Sequence, residues 1–141
     1  MTPLGKYATV GDWSVRIVKV NWNARAALKK ANMFNDSAPK GTTPVMIYVE
    51  GTYKGTGRAS LDTSYMFRSV GASGVEYSTF EGDTCGVLPY PDLGLDGPTV
   101  RTGAKVKGWG ACWVVDNADV KTLTAFADPF LADEITTFAL R

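Results

Sequence analysis

Val45-Met46-Ile47-Tyr48-Val49-Glu50-Gly51-Thr52-Tyr53 is a run of aliphatic, aromatic and β-branched side chains interrupted by Glu50 and Gly51. Such a run is too apolar to leave one face in water, so it reads as a central strand covered on both sides. Pro39-Lys40-Gly41 precedes it and Lys54-Gly55-Thr56-Gly57 ends it, both with the turn residues that a strand boundary requires. A central strand needs neighbours, and the rest of the chain supplies them.

Towards the N-terminus, Trp13, Val15 and Ile17 share one parity while Val18, Val20 and Trp22 take the other. One long strand from Asp12 to Trp22 accounts for both sets if a bulge at Ile17-Val18 shifts the register. Asn23 then caps a short Ala-rich helix, Ala24 to Ala31, too short to stand alone. Its Arg25, Lys29 and Lys30 read as a solvated face. Asn32 to Thr43 reads as loop.

Towards the C-terminus, Ala59, Leu61, Thr63, Tyr65 and Phe67 alternate with Ser60, Asp62, Ser64, Met66 and Arg68, which predicts a half-buried strand. Gly71-Ala72-Ser73-Gly74 turns the chain into Val75 to Thr79 as a hairpin. Glu81 to Gly103 is irregular, with room for one short element, and a loop of that length is uncommon unless it is functional or tied down. Lys105 to Val115 reads as a strand with Val106, Gly108, Gly110, Cys112 and Val114 on one face and Trp109, Ala111, Trp113 and Val115 on the other. The tryptophan face, with the larger apolar area, is assigned inward, so Cys112 points out towards the loop that carries Cys85. Lys121 to Ala127 and Glu134 to Leu140 complete the set. About seven or eight strands with at most one or two short helical turns predict an all-β, antiparallel two-sheet sandwich. No repeat or linker divides residues 1–141, so one domain is expected.

The chain has 141 residues, a formal net charge of +1 and no histidine. Without histidine there is no Ser-His-Asp triad, Cys-His dyad or His-based zinc site in this chain. Carboxylate, Ser-Lys and Tyr chemistries stay open. Glu50, Asp62, Glu76 and Asp133 are the acids that a fold can bring together, although no spacing organises them, and Ser60 to Ser64 holds no Ser-x-x-Lys arrangement. The scattered Lys and Arg give no footprint for nucleic acid. No run approaches the about 20 apolar residues of a membrane helix. The opening Met1-Thr2-Pro3-Leu4-Gly5-Lys6 has no signal-peptide core, so if the protein is exported its leader is expected to be gone and Met1 to be an added start.

Glu81, Asp83, Asp92 and Asp96 offer carboxylates to calcium, but no EF-hand spacing orders them, and acids in a Gly/Pro loop are ordinarily solvated. With Tyr90 they form the candidate contact loop; no metal or cofactor is expected. Trp22, Tyr48, Tyr53, Tyr77, Phe80 and Tyr90 are the aromatics from which a contact patch would draw, while at strand parity most such residues are core. Composition leaves Cys85 and Cys112 open between a disulfide and two thiols.

Asp12-Trp13-Ser14-Val15, Pro39-Lys40-Gly41 before Val45 to Val49, Tyr65-Met66-Phe67 followed by Gly74-Val75-Glu76-Tyr77, and Gly103, Gly110 and Cys112-Trp113-Val114-Val115 come in an order that resembles a known family. It is a family of Gram-positive, especially actinobacterial, secreted proteins and lipoprotein C-terminal domains with a telokin-like, immunoglobulin-like sandwich. The mycobacterial immunoprotective extracellular protein is similar. Asp116 stands where the family's pattern often has proline. The resemblance implies an immunoglobulin-like fold, export, a lipid tether upstream in some members, and no established enzymatic role. It also implies that a cysteine before the Pro/Asp loop pairs with one in the next strand, here Cys85 with Cys112. In a chain-entropy model that closure stabilises the fold by about 3.5 kcal/mol. A bacterial setting makes the acceptor-like Asn35-Asp36-Ser37 a plain loop. The expectation is a secreted or cell-surface, monomeric, non-enzymatic binding module for a protein or glycan of the cell envelope. A hydrolase or transferase using carboxylates of the 81–103 loop, or a structural spacer, are the alternatives.

Overall fold

The computed structural model describes residues 1–79, 82–94, 97–130 and 134–141. These form ten strands: β1 (Ala8–Val10), β2 (Trp13–Asn21), β3 (Thr42–Tyr53), β4 (Arg58–Ala59), β5 (Tyr65–Val70), β6 (Glu76–Tyr77), β7 (Val100–Arg101), β8 (Lys105–Asp116), β9 (Thr124–Pro129) and β10 (Thr136–Phe138). Two short helices, α1 (Arg25–Ala31) and α2 (Leu61–Ser64), and a 3-10 turn, Asn117–Thr122, accompany them.

One antiparallel sheet has the order β1-β2-β3-β8 and the other β10-β9-β5-β6, with β4 and β7 forming a separate pair. The Val45 to Tyr53 stretch is central, hydrogen-bonded to β2 on one side and β8 on the other. Its inward Val45, Ile47 and Val49 are fully buried. They meet Phe67, Ala125, Ala127 and Phe138 of the second sheet in one core. Trp13 and Trp113 span the gap between sheets. Each satisfies its indole N–H there, Trp13 at Ser64 Oγ (3.0 Å) and Trp113 at the Phe67 carbonyl (3.3 Å), as a buried donor must. Thr2 pairs with Phe138 and so ties the N-terminus to the second sheet.

The β2 register shifts between Ile17 and Lys19, so the bulge falls where the parity change places it. Three readings need correction. Residues 61–64 are not strand: Ser60 Oγ and its carbonyl bond the Thr63 and Ser64 hydroxyls and wind that segment into α2, a local turn that alternation does not reveal. Among the described residues there are therefore three helical pieces and more, shorter strands than expected. The strand read from Lys121 starts only at Thr124, because Asp116 caps the 3-10 turn by accepting from Ala118 N (2.8 Å). Trp109 also does not share the inward face of Trp113. A register shift opposite Ile47/Tyr48 turns Trp109 out and Val106 in, while Cys112 points outward as expected.

The outer face of the first sheet divides in two. Ala24 and Leu28 of the α1 segment, with Met46, Cys85, Leu88 and Cys112, make a second buried cluster over one half. The other half carries cross-strand rows Lys19-Tyr48-Trp109 and Arg16-Glu50-Lys107.

Candidate functional site

The irregular loop is tied down at three places along the outer face and edge of the first sheet. Cys85 and Cys112 form a disulfide with Cα atoms 6.0 Å apart. Asn35, 5% exposed, donates from Nδ2 to the carbonyls of Leu28 (2.9 Å) and Val87 (2.8 Å) and accepts from Val87 N (2.8 Å). The Lys29 ammonium in turn holds the Asn35 carbonyl. Gly86 passes so close, at φ 78°, that a Cβ there would stand 2.2 Å from Asn35 Oδ1. Further along, Trp109 N donates to the Pro91 carbonyl (2.8 Å) and Leu93 N to the Trp109 carbonyl (2.9 Å), so Pro91 to Leu93 runs as a strap on the β8 edge.

Between the strap, the disulfide and the segment after α1 lies a groove of about 580 Å³, lined by Phe34, Asn35, Thr84, Val87, Leu88 and Asp92 among others. Phe34 is 84% exposed and Val87 51%. They sit on adjoining segments because Asn35 joins its neighbours to Val87. Other large apolar side chains are exposed too, Met33 and Tyr90 among them, but Phe34 and Val87 are the pair that shares a groove and is held by the disulfide and Asn35.

Of the candidate contact residues, Tyr90 is 94% exposed, Asp83 is exposed, and half-buried Asp92 accepts from Gly94 N (2.8 Å) to shape its own turn. Glu81 and Asp96, like Phe80 and Asp133, lie outside the described residues. Among the described residues no group of three acids or cysteines is placed to hold a metal ion. Glu50, Asp62 and Glu76 are not brought together. Glu50 sits on the outer face, accepting from Arg16 Nε (2.7 Å) and Tyr7 OH (2.9 Å). The Tyr7 bond, helped by Arg16, holds its carboxyl below the usual range against the opposing effect of burial. Asp62 lines a small inter-sheet cavity of about 20 Å³ beside Tyr65, whose hydroxyl has no partner among the described residues and is pushed well up by burial. That space suits one water. Glu76 lies on β6 in the second sheet.

Asp119 was not singled out by sequence. It is 2% exposed and accepts from Ser73 Oγ (2.6 Å), Ser73 N (3.0 Å) and Tyr77 OH (2.6 Å), fastening the β5–β6 hairpin to the 3-10 turn. The Ser73 bond first, then Tyr77, depresses its pKa. In the sequence Asn35 reads only as loop. Lone Asn and Asp residues in turn-like segments gave no signal that they bridge elements far apart in sequence.

No protein-family model matches the chain, and no curated protein matches it. Solved structures do. The YjhA protein of Bacillus subtilis aligns over 100% of both chains with a TM-score of 0.63 at 18% identity. A putative lipoprotein, YcdA, also of Bacillus subtilis, aligns with 94% of this chain at a TM-score of 0.63 and 16% identity, and the match spans 37% of that protein. A conserved hypothetical protein from Bacillus anthracis aligns over 96% of this chain and 94% of its own at a TM-score of 0.54 and 8% identity. At these identities the likeness is one of fold. No helix among the described residues is long and apolar enough to cross a membrane.

Proposed function

We propose that this chain is an extracytoplasmic, non-enzymatic binding module of a secreted or lipid-tethered envelope protein, with an immunoglobulin-like sandwich as its rigid frame. The pairing orders β2-β3-β8 and β10-β9-β5-β6 support that frame, since they follow the A-B-E and G-F-C-C′ neighbours of the immunoglobulin arrangement. The putative lipoprotein among the structural neighbours and a disulfide in a β domain support export. The observation that carries a binding role is the rim of the disulfide groove. Phe34 and Val87 stand exposed on segments that the disulfide and Asn35 hold rigid, so they meet a partner with little loss of chain entropy.

The test is capture from an envelope extract with the oxidised domain, beside a Phe34→Ser, Val87→Ser double variant with unchanged melting. A single protein retained by the first and lost by the second is expected. Equal retention by both removes the groove from the reading, and a hydrolytic activity abolished by Asp92→Asn would favour the carboxylate enzyme instead.

A further inference from the structure

The edge strand β8 is covered along only part of its length. Trp109 directs its N–H and carbonyl away from β3, to the Pro91 carbonyl and the Leu93 N–H of the strap respectively. Direction alternates along a strand, so the main-chain groups of Lys107 and Lys105 also face away from β3, whereas those of Val106 face Gly51. Among the described residues none bonds to the Lys105 or Lys107 main chain on that side. These groups open on a second groove of about 570 Å³, lined by Tyr90, Pro91, Leu93, Pro98 and the two lysines, with half-buried Asp92, whose Oδ1 accepts from Gly94 N, as its one described acid. Its floor is apolar, with Leu93 4% and Val106 6% exposed.

We propose that this edge accepts an extended acidic peptide as an added strand, with carboxylates at alternate positions facing Lys105 and Lys107. A row of main-chain donors and acceptors at strand spacing is matched by another peptide backbone, which a glycan or lipid headgroup lacks. The two lysines point to one face roughly 7 Å apart, the spacing of alternate side chains on an incoming strand. They are exposed and form no ion pair with a described acid; Lys105 lies over the Tyr7 ring, 5.8 Å from its centroid, and adds a weak pull on Glu50, whose carboxylate is held chiefly by Tyr7 and Arg16. The residue between the two acids turns to the other face, towards Leu93 and Val106, so acid-apolar-acid is the pattern that fits. A second copy of this edge is disfavoured, because it would set lysine against lysine. The surface shares Asp92 with the first groove but neither Phe34 nor Val87, and the inference stands or falls without those two side chains.

The experiment follows backbone amide shifts of the oxidised, intact chain during titration with a blocked peptide of alternating Glu and Val. Expected are saturable shifts centred on Lys105 to Lys107 and Leu93, lost when alternate peptide amides are N-methylated. The Lys105→Glu, Lys107→Glu variant, checked by thermal melting, should weaken binding about tenfold or more and gain affinity for an alternating Lys and Val peptide. Phe34→Ser with Val87→Ser should leave all of this unchanged. Binding that survives N-methylation overturns the proposal, as do shifts elsewhere or equal binding of the Lys peptide to the parent chain. Heparin reproducing the shifts where the peptide gives none would mark a simple polyanion site, and concentration-dependent shifts of the protein alone would mark a second copy; either outcome also overturns it.

Discussion

Asn35 and Asp119 do similar work in two separate loops. Each is a buried polar side chain that bonds main-chain groups distant in sequence, which turns a loop into a fixed part of the structure. Asn35→Ala removes three hydrogen bonds, and we expect a loss of about 2–3 kcal/mol in urea unfolding with faster exchange at the Val87 amide. Asn35→Asp should be worse than Ala, since a carboxylate would face the Leu28 and Val87 carbonyls that now accept from Nδ2. The Asp119–Tyr77 pair gives a pH dependence at both ends of the scale. Asp119 is depressed in the fold, so its stabilisation is present above the ordinary carboxylate range and is lost as pH falls through the folded pKa. Tyr77 is raised from 10.0 to about 12, by burial first and by its bond to Asp119. Its contribution is therefore complete below pH 10 and lost as pH rises towards about 12. Urea midpoints measured across pH should show both slopes, with Asp119→Asn flattening the acid one and Tyr77→Phe the alkaline one.

Strand β8 is the element on which most of the architecture turns. One register shift divides it, so that Ala111, Trp113 and Val115 face the core from one half and Val106 from the other. The same shift frees Trp109 to stack edge-on against Tyr48 on the outer face, with ring centroids 5.2 Å apart and Lys19 over both rings. Two glycines permit this path. A Cβ at Gly110 would meet Val49 at 2.7 Å, and one at Gly108 would meet the Pro91 carbonyl at 2.5 Å and Leu93 at 2.9 Å. Gly108→Ala should therefore lift the strap from the edge. We expect a cost of about 1–3 kcal/mol and increased exchange at the Trp109 and Leu93 amides, while amides of β9 remain protected. Unchanged exchange at Leu93 would show that the strap does not depend on this close approach.

Across the whole molecule, two sheets and one core carry stability, and the disulfide fastens a loop to that frame. Its ends are separated by 27 positions, so reduction should lower stability by about 3.5 kcal/mol by loop entropy. It should loosen the Cys85 to Leu88 segment before the Trp13–Trp113 core, because only the smaller outer cluster contains the cysteines. Urea unfolding with and without reductant, read by tryptophan fluorescence and by exchange at Val87, separates the two effects.

Periodicity and turn chemistry in the sequence determined much of this. The apolar run at Val45 to Tyr53 made β3 central, the parity change at Ile17-Val18 fixed a bulge, and Gly71 to Gly74 fixed a hairpin, since each depends on residues close along the chain. The parity argument also aimed Cys112 outward. It failed for Trp109, because a bulge opposite Tyr48 arises from pairing with a strand far away in sequence. It failed for Leu61 to Ser64, where hydroxyl bonds to Ser60 outweigh alternation. Tertiary structure alone decided the candidate surfaces. Phe34 and Val87 become neighbours through Asn35, and Lys105 and Lys107 become an open edge because, among the described residues, the strap bonds β8 at Trp109 and not beyond it. Such surfaces are set by which distant segments meet, and local pattern carries no record of that meeting.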